Sequence, residues 1–422
     1  MGFGQSEDEK MTMHSREHLW HVLAEAAELE HNLLCSYLFA AFSLKQDVSE
    51  DLTSSELTAV TGWRNTLMDI CIEEMVHLAQ VSNLLVAVGA RAHFSRPNLP
   101  VAPGYHPASI VIELAPFDRA TMEHFIFLER PEDAPVSDPP AFEQDAPQPE
   151  RDTAATWLMP SAPPYATVGE FYRYLRTGLA ELTVQLGEQK LFCGSSDHQL
   201  RAEELNAPEL QVVTDLRSAQ AAIDFIVEQG EGSPTTQESS HFQRFSDIRN
   251  ECLRLTLERP GFQGHRSVAR NPVMHPPTAT DRMHVTATAA ANVLDAANAV
   301  YNVMLRSLVE IYEVRWNAKS YRDALLGVAF ACMKTLTFLA CELTKLPAQD
   351  GGGVTAGISF ATLRSTEGFA VGSGIAGMLA ERLTQIGQRV SELELGERAQ
   401  GVESALTKAA RALEGSSIGS RP

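Results

Sequence analysis

Two Glu-x-x-His pairs constrain this chain more than any other feature: Glu74-Met-Val-His77 and Glu238-Ser-Ser-His241, some 160 residues apart, each within a stretch that reads as helix. Three residues span nearly one helical turn, so the Glu and His of each pair project from the same side. The first pair interrupts an otherwise apolar stripe, Leu67, Ile70, Glu74, His77, Val81, Leu84 and Val88. An unpaired carboxylate on such a face is costly to bury, so it must be paired or bound to metal. Two such pairs facing each other across a helix bundle, with one further Glu from each remaining helix, form the ligand set of a carboxylate-bridged di-iron centre. Glu30 and Glu170 stand upstream of the two pairs and complete the order Glu, Glu-x-x-His, Glu, Glu-x-x-His.

Helical periodicity predicts the elements that would carry this set. A long helix over 14–46 has Leu23, Ala26, Ala27, Glu30, Leu33, Leu34, Tyr37 and Ala41 on one stripe. A second runs over 54–89, with Thr53 and Glu56 as a capping box and Gly89 as its stop. Fourteen prolines between 91 and 166 forbid long helices there. That segment, with a β-like run at 110–114 and a short helix at 119–128, is expected to be a crossover joining two helical hairpins. Helices follow over 168–192, 215–229 and 237–257, then a loop over 260–282. Further helices are expected over 286–316, 320–346 and 374–413, the last two separated by a Gly-rich stretch at 351–357.

The spacing alone leaves choices open. A third copy, Glu28-x-x-His31, shows how readily Glu-x-x-His arises by chance, and makes Glu28 and His31 rivals of Glu30. Glu73 is an i, i+4 alternative partner for His77, though off the apolar stripe. Thr167-Val-Gly-Glu170 also reads as a capping box, in which Glu170 would only tie down a helix start, and Glu181 is then the substitute ligand. Tyr37 and Tyr174 sit near the expected ligands, as core residues or as partners of the carboxylates.

Several stretches carry a family resemblance. Residues 27–38 (AELEHNLLCSYL), 73–89 (EEMVHLAQVSNLLVAVG), 114–118, 128–132, 166–172 (ATVGEFY) and 240–248 (SHFQRFSDI) resemble the ferritin-like domain of the violacein-pathway iminophenyl-pyruvate dimer synthase type, as do 298–301 and 346–353. The resemblance implies an all-α fold: a ferritin-like four-helix bundle over 14–275 with the Pro-rich crossover 91–166 inserted. The remaining helices, 280–422, would pack on the bundle or at a dimer interface. It implies ligation by Glu30, Glu74, His77, Glu170, Glu238 and His241, and so selects Glu170 over Glu181. The implied cofactor is two iron ions, with manganese or a mixed pair also suited to carboxylate and imidazole donors. The implied activity is a di-iron oxidoreductase that uses O2 or peroxide on a small organic substrate in specialised metabolism, with a reductase and a homodimer as further partners. Competing expectations are a ferroxidase or iron-storage protein and a helical scaffold with a vestigial metal site.

Composition narrows the partners. A formal charge of −20 argues against nucleic acid and anionic membrane surfaces, which need clustered Lys and Arg. Hydrophobic residues make up 44% of the chain, enough for a sizeable core. The six cysteines show no C-x-x-C spacing and several fall in apolar helical stretches, so reduced thiols and a cytoplasmic setting are expected. The most apolar run, 325–343, is interrupted by Lys334 and Glu342 and is expected to be a buried core helix rather than a membrane span.

Overall fold

The computed structural model describes residues 13–416 apart from 102–104, 107–109, 143–161, 231–238, 276–281 and 366–372. Helix α1 (Arg16–Ser43) starts where the Ser15 hydroxyl accepts the His18 N–H. Helix α2 (Ser54–Ala87) starts at the expected Thr53–Glu56 capping box and stops at Gly89, whose φ of 83° suits glycine. The two form an antiparallel hairpin, because Trp20 near the start of α1 donates its indole N–H to the Val88 carbonyl just past the end of α2. Glu30 and His77 therefore lie at the same level of the hairpin.

The second half of the bundle is built from the four helices expected between 119 and 257, near their expected bounds: α3 (Arg119–Leu128), α4 (Val168–Leu186), α5 (Leu216–Gly230) and α6 (His241–Glu258). Helix α3, expected as part of the crossover, packs against α6, and α4 packs against α5. An aromatic cluster ties the first pair to α1: Tyr37 lies 4.6 Å from Phe125 of α3 and 5.0 Å from Phe245 of α6, ring centre to ring centre. Gly187, at φ 85°, ends α4 at Leu186, six residues short of the expected 192. The end of α3, the start of α4, the end of α5 and the start of α6 all meet the α1–α2 hairpin at the level of Glu30 and His77.

The β-like run at 110–114 forms no strand. Its backbone is held instead by loop contacts, Val101 N–H to the Ile112 carbonyl and Leu114 N–H to the Asn271 side chain. The only strand pairing among the described residues joins two dipeptides, β1 (Pro272–Val273) and β2 (Met283–His284).

Helices α7 (Thr288–Glu313) and α8 (Lys319–Leu343) form a second hairpin, and α9 (Ser373–Ser391) and α10 (Glu397–Ser416) a third. The stretch 374–413, expected as one helix, is broken between Ser391 and Glu397, where Gly396 takes φ 73°. One continuous apolar core runs from α1 through α10. By length and composition α2 and α8 could each cross a membrane, but 78% and 56% of their most apolar windows are buried within the fold. All six cysteines are free, and Cys35, Cys71, Cys332 and Cys341 are buried.

Candidate metal centre

Two groups of ligand atoms converge in the bundle. Glu30, Glu74 and His77 form one, and Glu74, Glu129 and His241 the other, with the ligand atoms of each group within 4.8 Å of one another. None of the five side chains is more than 4% exposed. Glu74 belongs to both groups: its Oε2 is 3.3 Å from His77 Nδ1 and its Oε1 is 2.9 Å from His241 Nδ1. Glu30 Oε2 lies 3.6 Å from His77 Nδ1, and Glu129 Oε2 lies 3.7 Å from His241 Nδ1. One carboxylate thus faces both imidazoles, with a terminal carboxylate on each side.

The outer atoms of these groups are held from behind. His77 Nε2 is 2.8 Å from Gln229 Oε1 and His241 Nε2 is 2.8 Å from Glu73 Oε2, so both rings turn Nδ1 inward. Arg244 pairs with the same Glu73. Tyr172 donates its hydroxyl to Glu30 Oε1 and Tyr37 donates to Glu129 Oε1. Each terminal carboxylate therefore has one oxygen committed to a tyrosine and the other free to face the centre.

Electrostatics follow from packing carboxylates and imidazoles out of water. Burial pushes Glu30 up to about 7, against the pull of His77. Burial would raise Glu74 too, but the facing His241 and His77 outweigh it and hold Glu74 well below the usual carboxylate range. Burial disfavours the charge on His77, yet Glu74 and Glu30 bring it up to about 10, and Glu74, Glu129 and Glu73 likewise raise His241 against its burial. Without metal, protons on the imidazoles balance the carboxylates.

Three observations suit this set to two metal ions. His241 Nδ1 is buried and has no well-aligned hydrogen bond among the described residues although Glu74 Oε1 is 2.9 Å away, as expected of atoms aimed at a shared point rather than at each other. A void of about 10 Å³ bordered by Glu30, Glu74, His77 and Glu129 has room for about one water-sized sphere. Gly230 leaves space at Glu129, since a Cβ there would come within 3.0 Å of Oε2. Imidazole and carboxylate donors together suit iron or manganese.

The expected residues Glu30, Glu74, His77 and His241 are brought together. Glu170 is not. It sits in the first turn of α4, where its carboxylate accepts the Ala166 N–H at 2.7 Å and its own N–H is capped by Thr167. A local backbone partner satisfies it, and Glu129, at the end of α3, stands at the second group instead. Glu181, the substitute for Glu170, is not among the convergent groups either. Glu238 lies outside the described residues. Of the rivals to Glu30, Glu28 pairs with His93 and Tyr105, and His31 meets the Tyr301 hydroxyl. Tyr174 bonds His18, while Tyr172, two residues away, reaches the centre.

A family model described as ferritin-like matches residues 23–250, more than half of the chain. This chain belongs to the ferritin-like family. A ferritin-like protein from Caulobacter vibrioides of known crystal structure superposes with a TM-score of 0.52 at 21% identity, over 82% of this chain and all of that one. Two curated proteins are similar in sequence. Dichlorochromopyrrolate synthase of Lentzea aerocolonigenes is 28% identical over 82% of this chain and 36% of its own length. The 2-imino-3-(indol-3-yl)propanoate dimerase of Chromobacterium violaceum is 26% identical over 89% of this chain and 37% of its own length. The ferritin-like chain thus spans little more than a third of either relative.

Proposed function

We propose that this chain is a di-iron oxidoreductase that uses O2 or peroxide to oxidise a small aromatic substrate in specialised metabolism. One observation carries the proposal: two buried ligand triads share Glu74, and each presents an imidazole Nδ1 whose Nε2 is already held. Glu30, Glu74 and His77 would hold one ion, and Glu74, Glu129 and His241 the other. When bound, such a pair supplies electrons to O2 or peroxide and accepts them from substrate. The protein's share is binding and shielding. Tyr172 and Tyr37 fix the terminal carboxylates, Gln229 and Glu73 fix the imidazoles, and burial keeps bulk water away.

Three carboxylates against two divalent ions leave one positive charge. That favours one more anionic ligand, and Glu238, one turn before His241 in sequence, is our candidate for it. The names of the two curated relatives support an enzyme acting on an indole-derived or pyrrole-forming metabolite. We take residues 14–275 as the metal-binding bundle and the helices of 280–422 as part of the substrate enclosure.

The test is O2 uptake by protein loaded anaerobically with Fe(II), with reductant and candidate aromatic imino acids. Consumption that depends on the organic compound and exceeds the iron present supports an oxidoreductase. Consumption proportional to added Fe(II), indifferent to the organic compound and accompanied by a large cage-like native mass, would instead mark a ferroxidase.

A further inference from the structure

The void at the metal centre is too small for an organic molecule, so a substrate must sit elsewhere. A cavity of about 690 Å³ lies between α1 and α2 on one side and α7 and α8 on the other, within the size range of small-molecule sites. Its mouth is marked by Ile72 and Phe330, which are 53% and 41% exposed. Its floor, with His31, Cys35, Tyr301 and Phe360, is buried. Between them the wall is apolar and rich in rings and thioethers, including Phe42, Phe94, Met68, Met75, Met304 and Met333. Methionine sulfur makes favourable contacts with aromatic ring edges, and its flexible chain adapts to a flat guest.

Two features distinguish this cavity from a packing gap. The first is the floor. Behind Tyr301 lies Arg96, a buried guanidinium that donates Nε and Nη2 to the Tyr301 hydroxyl at 3.2 and 3.0 Å. Its remaining bonds go to the carbonyls of Pro97 and Phe360, at 2.8 and 2.6 Å. Among the described residues these partners are neutral oxygens, with the Cys35 thiol beside them, so no carboxylate bonds this guanidinium, and the Tyr301 hydroxyl, its acceptor side filled, stands between that charge and the cavity. That hydroxyl rests its one proton on His31 Nε2, 2.6 Å away, and turns from that ring to meet a ligand. The second is the side toward the metal centre, which is formed by Phe225, Gln229 and Glu73. Gln229 and Glu73 are the groups that hold His77 and His241, and Phe225 packs edge-on to the His77 ring at 5.8 Å.

We propose that this cavity is the organic-ligand site and takes a small aromatic acid. The ring lies against the methionine-lined wall and the acidic group points to the Tyr301–Arg96 floor. The remainder of the ligand abuts the shell that orients both imidazoles. The proposal rests on the oxidoreductase reading above and gives its substrate a place and a charge. Tyr301 is a positioning residue that passes the field of Arg96 to the ligand's acidic end.

Calorimetric titration of the metal-free 422-residue chain with indole-3-acetate and with uncharged 3-methylindole tests this. The acid is expected to bind at least about tenfold more tightly than the neutral ring. Tyr301→Phe is expected to remove most of that preference while leaving 3-methylindole binding within about twofold. Met304→Trp and, separately, Leu38→Trp fill the cavity and are expected to weaken both probes at least about tenfold, with circular dichroism unchanged. The proposal is overturned if neither probe binds the folded wild-type chain at millimolar concentration. It is also overturned if both filling variants bind as wild type, or if the acid has no advantage over the neutral ring. Because these titrations need no metal, a chain that binds the acid but holds no iron would sink the oxidoreductase reading alone. A chain that holds two iron ions but ignores both probes would sink only the cavity.

Discussion

The choice between Glu129 and Glu170 as the carboxylate of the second triad can be decided by two near-isosteric substitutions. In Glu129→Gln the side-chain oxygen can still accept the Tyr37 hydroxyl, while the amide nitrogen replaces the Oε2 that faces His241 Nδ1 at 3.7 Å. An amide N–H donates and cannot ligate, so the second ion loses its terminal carboxylate. Loss of a group that only orients a ligand already costs about 10–100-fold in metal affinity, and loss of a ligand should cost at least about 100-fold. Folding without metal should change by no more than about 1 kcal/mol, because the Tyr37 bond survives and one buried acid is removed. In Glu170→Gln the bond to the Ala166 N–H at 2.7 Å weakens. The loss is that of part of a helix cap, about 0.5–1 kcal/mol, with no effect on metal. The assay is Fe(II) titration against a chelator of known affinity, alongside urea unfolding of the metal-free proteins. A Glu129→Gln variant that still binds two ions as wild type, or a Glu170→Gln variant that loses one, would refute the assignment.

Other outcomes follow from the same structure. Gln229→Ala, which frees His77 Nε2, should lower iron affinity about 10–100-fold without changing the stoichiometry at saturating metal; an unchanged affinity would show that the ring is oriented by other contacts. The metal-free chain should lose stability as pH rises from 7 to 10. His77 is raised from 6.5 to about 10, so its contribution is complete below 6.5 and disappears as pH passes through about 10. Glu30, raised to about 7, has lost its own contribution by then, and Glu74, which is depressed, contributes only above 4.5. A urea midpoint that rises between pH 7 and 10 would contradict this. Arg322 is fully buried, bonds both oxygens of Glu204 and reaches the carbonyls of Ile311 and Val314. Arg322→Met should therefore destabilise the chain by about 3–5 kcal/mol in thermal or urea unfolding, whereas a loss under about 1 kcal/mol would show the pair to be dispensable.

The residues that were legible in the sequence share one property. Glu30, Glu74 and His77 break the apolar stripes of long helices, where position and burial are read together from a 3.6-residue period. His241 begins α6 on the same face as Phe245 and Ile248. Glu129 was hidden because its helix is only ten residues long, lies among prolines, and carries it just beyond the last turn. The signal was present in Met122, Phe125 and Glu129, a stripe too short to stand out from the surrounding loop. Glu170 stands apart for the converse reason: a capping sequence is a complete local explanation, and the local bond forms here. Tyr172 and Gln229 reach the centre only through tertiary packing of α4 and α5, which no spacing along the chain encodes. The break at Gly187 is a glycine stop of the kind seen at Gly89, whereas α9 ends at Ser391 and Gly396 stands directly before α10; both glycines lie inside stretches whose periodicity continues across them.

Glu74 is the one side chain that faces both imidazoles, so a single substitution there tests the whole centre. The measurement is metal content per chain, by elemental analysis of wild-type and Glu74→Ala protein purified from iron-supplemented cells, with folding checked by circular dichroism. Two iron ions in the wild type and none in a folded Glu74→Ala variant is the predicted result. A wild type without iron, or a folded Glu74→Ala variant with the same iron content as wild type, would contradict a centre built on Glu74.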